Sequence, residues 1–257
     1  MSRKGRWPEY LAEAAALGIF MISASVFTIV LEHHRSPLVA LMPPFARRVL
    51  MGLAMGLTAA AIIYSPLGAR SGAHMNPSVS LAFVRLGKLP PADAAFYLVA
   101  QFIGGIAGMV AASAVLGRFL AEPSVHFVQT RPGGAGVLVA ALAELMISFI
   151  TFSVLLRVAA RPQTMRLVGT AAGALVMLNI TFEAPLSGMS MNPARTLGPA
   201  LLAGQFDALW IYFVAPPLGM LLAAEWFRST TRPAPCPRLN HTPRVPCIFC
   251  GDVCTTT

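Results

Sequence analysis

Apolar residues fill six long blocks of this chain, at residues 10–31, 49–64, 94–116, 137–156, 167–182 and 209–227, with short polar stretches between them. A helix that crosses a bilayer needs about 20 apolar residues, so the second and fifth blocks are predicted to borrow a turn from their flanks. Two further apolar stretches, 76–86 and 192–202, are about half as long. At 1.5 Å per residue each reaches roughly halfway across a ~30 Å hydrocarbon core, which predicts re-entrant half-helices.

The pattern occurs twice. Ala12-Glu13 opens the first half and Ala143-Glu144 the second, each near the start of a span. A second span, a half-helix and a third span follow in both. The third spans echo each other, Tyr97 to Gln101 and Gly104 against Tyr212 to Pro216 and Gly219. Three spans per half is an odd number, so the halves insert with opposite polarity. Inverted repeats with broken helices build their sites near the midplane, between the repeats. The predicted fold is an all-α membrane protein with six transmembrane helices and two half-helices in an inverted three-plus-three repeat. Its predicted parts are an N-terminal segment, 1–9, a membrane domain, 10–228 (repeats about 10–118 and 134–228), and a tail, 229–257.

Composition agrees with this plan. Hydrophobic residues make up 56% and charged ones 11%, with mean hydropathy +0.68, whereas soluble domains carry roughly 25% charged residues. The net charge of +9 does not imply nucleic acid, because the basic residues are scattered through short loops rather than gathered in a stripe. They set topology instead. Of 19 basic residues, six fall on one side (Arg35, Arg47, Arg48, Arg118, Arg131 and Arg195) and thirteen on the side of both termini. Both termini are therefore expected in the cytoplasm, with Arg47-Arg48 the main dissenting pair. Arg3, Lys4 and Arg6 resemble a signal-peptide n-region, but the apolar run that follows exceeds the usual ~7–15 residues and is expected to remain as a span.

The half-helices begin with near-identical motifs. Ser71-Gly72-Ala73-His74-Met75 leads into Asn76-Pro77-Ser78, and Ser187-Gly188-Met189-Ser190-Met191 into Asn192-Pro193-Ala194. Asn suits an N-cap, where its side-chain oxygen accepts orphan backbone N–H groups. Pro suits the first helical position, where no N–H is needed. The Asn side-chain NH2 is expected to stay free and face a pore. Arg195, Glu13 and Glu144 are ionisable groups inside membrane sequence, functional by default.

With both motifs on one inverted plan, the chain resembles the aquaporins, the major intrinsic protein family, from about Glu13 to Phe227. Ser78, where Ala is usual, is the one departure in the motifs. The resemblance implies a homotetramer of separately conducting protomers and a multi-pass protein of a plasma or inner membrane. It implies passive passage of water with exclusion of protons and ions. Two half-helix N-termini, each worth about +0.5 charge, would meet at one spot beside Asn76 and Asn192. A passing water would turn its oxygen toward both Asn groups, breaking a continuous proton wire, and the positive field would oppose cations. Arg195 becomes the outer constriction's cation barrier, Glu13 and Glu144 become buttresses of the re-entrant loops, and His74 a cytoplasmic-vestibule histidine. A His satisfied by backbone at a helix start reads almost as well.

By spacing from Asn192, Met189 and Ile180 fall at filter positions; the second-span position is Met55, or Gly56 if no residue is inserted before Ser71. Neither the aromatic nor the histidine of typical water filters is present. Thr196, Ala200 and Tyr212-Phe213 nonetheless resemble the water branch, so water is the leading permeant and glycerol, ammonia or peroxide the alternative.

The tail holds all four cysteines, Cys236, Cys247, Cys250 and Cys254, with His241 among them. The Cys247–Cys250 spacing suits zinc, and Cys254 with Cys236 or His241 would complete a tetrahedral set. An idle reduced tail is the plainer expectation, and a non-conducting protein with a metal- or redox-sensing tail the third reading. No cofactor is required. No nucleophile–base pair, paired carboxylate or phosphate loop suggests an enzyme.

Overall fold

Inside hydrocarbon every backbone amide must be paired, and a helix pairs them within its own segment. The computed structural model, which describes residues 6–230 and residue 236, meets that demand with helices alone; no strand occurs among the described residues. In chain order they are α1 (Trp7–Glu32), α2 (Pro37–Leu41), α3 (Pro44–Tyr64), α4 (Pro66–Ser71), α5 (Pro77–Arg85), α6 (Pro91–Leu116), α7 (Arg118–Ala121), α8 (Val137–Ala159), α9 (Val168–Phe182), α10 (Ala184–Ser187), α11 (Pro193–Ala203) and α12 (Trp210–Thr230). Six are long and apolar enough to cross a membrane: α1, α3, α6, α8, α9 with the 3-10 turn before it, and α12. The half-length α5 and α11 are the two predicted half-helices.

Boundaries shift where polar residues join a helix. The second span begins at Pro44 rather than 49, so the Arg47-Arg48 pair lies on the first turns of α3 instead of in a loop. Arg47 is neutralised there: its guanidinium donates to Glu32 Oε2 at 3.0 and 3.2 Å and to the Met42 carbonyl at 2.7 Å. The fifth span gains its missing turn from Met165–Leu167. At the other end, α12 continues through Ser229 and Thr230, two residues assigned to the tail, whose hydroxyls each donate to the Trp226 carbonyl at 2.8 Å. Trp7 and its neighbours likewise start α1 inside the expected N-terminal segment. His241, Cys247, Cys250 and Cys254 lie outside the described residues, and Cys236 is half-buried.

Within each repeat the third span packs on the first, α6 on α1 and α12 on α8, while α3 and α9 join the repeats. The half-helices cross over, α5 to α12 and α11 to α6. Glycine makes these approaches possible. A Cβ on Gly104 would collide with the Ala14 carbonyl, and one on Gly219 with that of Leu145, each just after a buried glutamate. Gly56 and Gly173 face each other's carbonyls across α3 and α9 in the same way. Outward, Leu11, Ile19, Leu57, Val99, Ile103, Leu142 and Leu222 are exposed, a surface that suits lipid.

Candidate functional site at the half-helix junction

The site begins with two buried carboxylates. Glu13 Oε1 accepts from the Ser71 hydroxyl (2.7 Å) and the His74 amide (2.9 Å); its Oε2 accepts from the Met75 amide (2.6 Å) and Gln101 Nε2 (2.8 Å). Glu144 does the same work in the second half. Its Oε1 accepts from the Ser187 hydroxyl (2.8 Å) and the Ser190 amide (2.6 Å), and its Oε2 from the Met191 amide (2.7 Å). Tyr97 and Tyr212 complete each cradle, their hydroxyls donating to the Ser71 and Ser187 carbonyls at 2.5 Å. These bonds hold a strained path. Ala73, Met75, Met189 and Met191 all have positive φ, between 48° and 55°, a region that costs a non-glycine residue about 1–2 kcal/mol. Gly72 and Gly188, at φ 96° and 82°, turn the chain into it.

The path delivers each Asn to a helix start. Asn76 Oδ1 accepts from the Ser78 amide at 2.9 Å, and Asn192 Oδ1 from the Ala194 and Arg195 amides at 3.0 and 3.2 Å. Pro77 and Pro193 occupy the first helical positions. The expectation of a free side-chain NH2 needs correcting. Asn76 Nδ2 donates to the Met191 carbonyl at 2.6 Å, and Asn192 Nδ2 to the Met75 carbonyl at 2.7 Å. Each loop thereby ties the other, and one of the two amide hydrogens of each Asn remains for a ligand. Ser78 is fully buried and its hydroxyl has no partner among the described residues.

A single cavity of about 360 Å³ runs past this junction. Its lining includes Asn76, Asn192, His74, Arg195, Ile180, Met189 and Met55, so seven of the expected pore residues share one space. The wall follows whole helix faces: Arg48, Met51, Met55, Ala59 and Ile63 on α3; Leu17, Phe20, Ala24, Thr28 and Glu32 on α1; Ala172, Val176 and Ile180 on α9. From Arg48 to Ile63 is about 22 Å at 1.5 Å per residue, most of a ~30 Å hydrocarbon core. Met55 rather than Gly56 faces the cavity, because the Gly56 face of α3 is closed against Gly173. His74 lines the cavity, and its ring lies with Nδ1 3.0 Å from Ser80 Oγ and its plane stacked on Phe83. Glu13 and Glu144 stand behind the loops, fully buried. Pro77, Ser78, Pro193 and Ala194 are buried in the helix starts.

Some residues of the site carried no signal in the sequence. Arg48 is a second cation on the cavity wall, and residues 118–136 supply Val125, Val128 and Gln129 to the same wall. Arg195 Nη1 donates to the Val128 carbonyl at 3.3 Å, and Thr130 to Thr196 at 3.1 Å. Glu183, at the end of α9, is buried with no hydrogen-bond partner for either oxygen among the described residues. Burial pushes its pKa up to about 7, and the Glu144 carboxylate adds to the rise.

Comparison with known proteins fits this geometry. The family profile described as Major intrinsic protein matches residues 1–227. The chain belongs to that family. Among curated major intrinsic proteins it is similar to Aquaporin NIP1-3 of Oryza sativa subsp. japonica, 39% identical over 178 residues, or 69% of this chain and 60% of that one. It is also similar to Aquaporin NIP1-1 of Arabidopsis thaliana, 37% identical over 189 residues, or 71% and 62%. The matched stretch thus spans under two thirds of these relatives' length. The X-ray structure of the aquaglyceroporin from Plasmodium falciparum shares the fold, with TM-score 0.75 at 18% identity over 87% of this chain and 96% of that one.

Proposed function

We propose that this protein is a passive channel for water that excludes protons and ions, and that it carries out no enzymatic reaction. The observation that carries the reading is the single cavity following whole faces of α1, α3 and α9 past both half-helix starts. A file of water in such a space is bounded mainly by side chains that offer no hydrogen bonds. At the junction it meets two helix N-termini of about +0.5 charge each and the remaining NH2 hydrogens of Asn76 and Asn192. A water there accepts from both Asn groups and cannot also pass a proton along. Arg195 adds fixed positive charge at the narrowing formed with Met189, Ile180 and Met55, where a cation would lose hydration and gain repulsion. Glu13 and Glu144 act as supports, and His74 as a wall residue.

A second reading, passage of small neutral solutes such as glycerol, is favoured by the flexible thioethers of Met55 and Met189 on the wall, which can adapt to different shapes. Water remains the better fit. Glycerol would need three hydroxyls satisfied beside apolar walls, and each unmade bond costs about 1–3 kcal/mol. Family membership also supports a homotetramer in a bilayer, with both termini cytoplasmic by loop charge. The test is stopped-flow swelling of proteoliposomes in water and glycerol gradients. Fast water flux with slow or absent glycerol flux is expected, and Met189→Ala should raise glycerol flux. Equal fluxes in the unmutated protein would transfer the assignment to small solutes, and absence of both would sink the channel reading.

A further inference from the structure

Beyond the pore, three metal-ligating side chains converge on the Arg195 side of the bundle. His33 and His34 follow the end of α1, and Glu122 ends α7 in the loop of residues 118–136. One ligand atom from each lies within 4.8 Å of the other two. His34 Nδ1 is 3.2 Å from Glu122 Oε1, close to the ~3.3 Å between two ligands of a tetrahedral ion with bonds of about 2.0–2.1 Å. The His33 and His34 rings are stacked with centroids 4.6 Å apart, and Phe119 packs edge-on to His33 at 5.4 Å. His33 is buried, Glu122 half-buried and His34 exposed, so the site opens toward solvent. Two imidazoles and a carboxylate suit zinc and its neighbours rather than calcium or magnesium, which prefer all-oxygen shells.

We infer that His33, His34 and Glu122 bind a divalent transition ion of the zinc class, and that the ion clamps residues 118–136 against the end of α1. Hydrogen bonds also hold these groups. The Arg35 amide donates to His33 Nδ1 at 3.1 Å, Arg35 Nε to His34 Nε2 at 3.2 Å, and the His34 amide to Ser124 Oγ at 3.2 Å. Coordination through His34 Nδ1 shifts that ring's proton to Nε2 and releases the Arg35 side chain, which lies in solvent. The clamp reaches the pore because six residues beyond Glu122 the Val128 carbonyl accepts from Arg195, and Val125 and Val128 both line the cavity. Fixing Glu122 therefore restrains the segment that positions Arg195.

The tail cysteines stay present in every variant tested. Zinc binding is measured on the full chain in detergent, for the unmutated protein and for His34→Ala and Glu122→Gln, the second of which keeps the side chain's size. Both variants should bind about one zinc equivalent per chain fewer. Equal zinc in all three overturns the site. The flux readout rests on the channel reading: zinc on both sides of proteoliposomes should slow swelling several-fold for the unmutated protein and leave Glu122→Gln unaffected. Loss of binding with the same zinc response in both overturns the clamp. Vesicles that never swell count against the channel, while the binding measurement still decides the site.

Discussion

The two re-entrant loops are built alike and furnished differently. In both, a serine, two backbone amides, a tyrosine and a first-span glutamate make one network, the same residues take positive φ, and the Asn side chains exchange bonds across the junction. The His74–Ser80 contact on one side corresponds to the short Ser190–Thr196 contact on the other. Three residues past the Asn, however, the first loop has Val79 and the second Arg195. Four residues before the lead-in serine, the first has Leu67 and the second the buried Glu183. Gln101 supports Glu13, whereas Pro216 holds the matching place in α12 and Glu144 has no such donor among the described residues. Duplication thus preserves what folds the junction, and the charges that distinguish its two sides are not duplicated.

The largest effect should come from the shared network. Glu144→Ala strands three buried donors and Glu13→Ala four, at about 1–3 kcal/mol each. Both should lose at least ~3 kcal/mol, seen as collapsed yield and melting temperature in detergent, with Glu13→Ala no milder. A variant as stable as the parent would show that the carboxylates do not hold the loops.

Next come the crossings behind those carboxylates. Gly104→Val and Gly219→Val each press a side chain into the backbone of the neighbouring first span, overpacking that costs about 1–3 kcal/mol. Gly134→Ala, which meets nothing within 4 Å, is the control and should be neutral. Unequal losses for the two valines would break the symmetry between the repeats.

A smaller effect belongs to one side only. Glu183 has a folded-state pKa of about 7 against an ordinary 4.5, so between those values the folded protein binds the extra proton. Stability from this group is full below 4.5 and is lost as pH rises through 7. Glu183→Gln should raise the melting temperature at about pH 8 and leave it unchanged at about pH 4. Leu67→Gln, its counterpart, keeps Glu183, so its difference in melting temperature from the parent should be the same at both pH values. A parent protein whose stability is flat across that window would contradict the burial argument.

The sequence was most readable where local chemistry repeats. An Asn-Pro start within apolar sequence needs a cap and a first-turn proline wherever it occurs, and a membrane glutamate needs donors, so Asn76, Asn192, Glu13 and Glu144 stand out without coordinates. What the glutamates bond, and that Tyr97 and Tyr212 anchor the lead-in carbonyls, depends on packing between distant spans. Spacing left Met55 and Gly56 open because a single insertion shifts the register; the glycine–glycine crossing with α9 decides it. Residues 118–136 have no helical period to read, yet Val128 meets Arg195 across 67 positions of sequence. Arg48 looked like a loop charge because only the fold turns it toward the cavity.

The proposed function gives Arg195, the charge absent from the first loop, control over what passes. Its direct test is the ratio of glycerol to water permeability in proteoliposomes for the parent, Arg195→Val and Val79→Arg. Arg195→Val should raise the ratio on the order of tenfold, equivalent to ~1.4 kcal/mol of barrier, with water flux retained, while Val79→Arg should reduce both fluxes. An unchanged ratio in Arg195→Val would mean that Arg195 does not set the passage, whatever its place on the cavity wall.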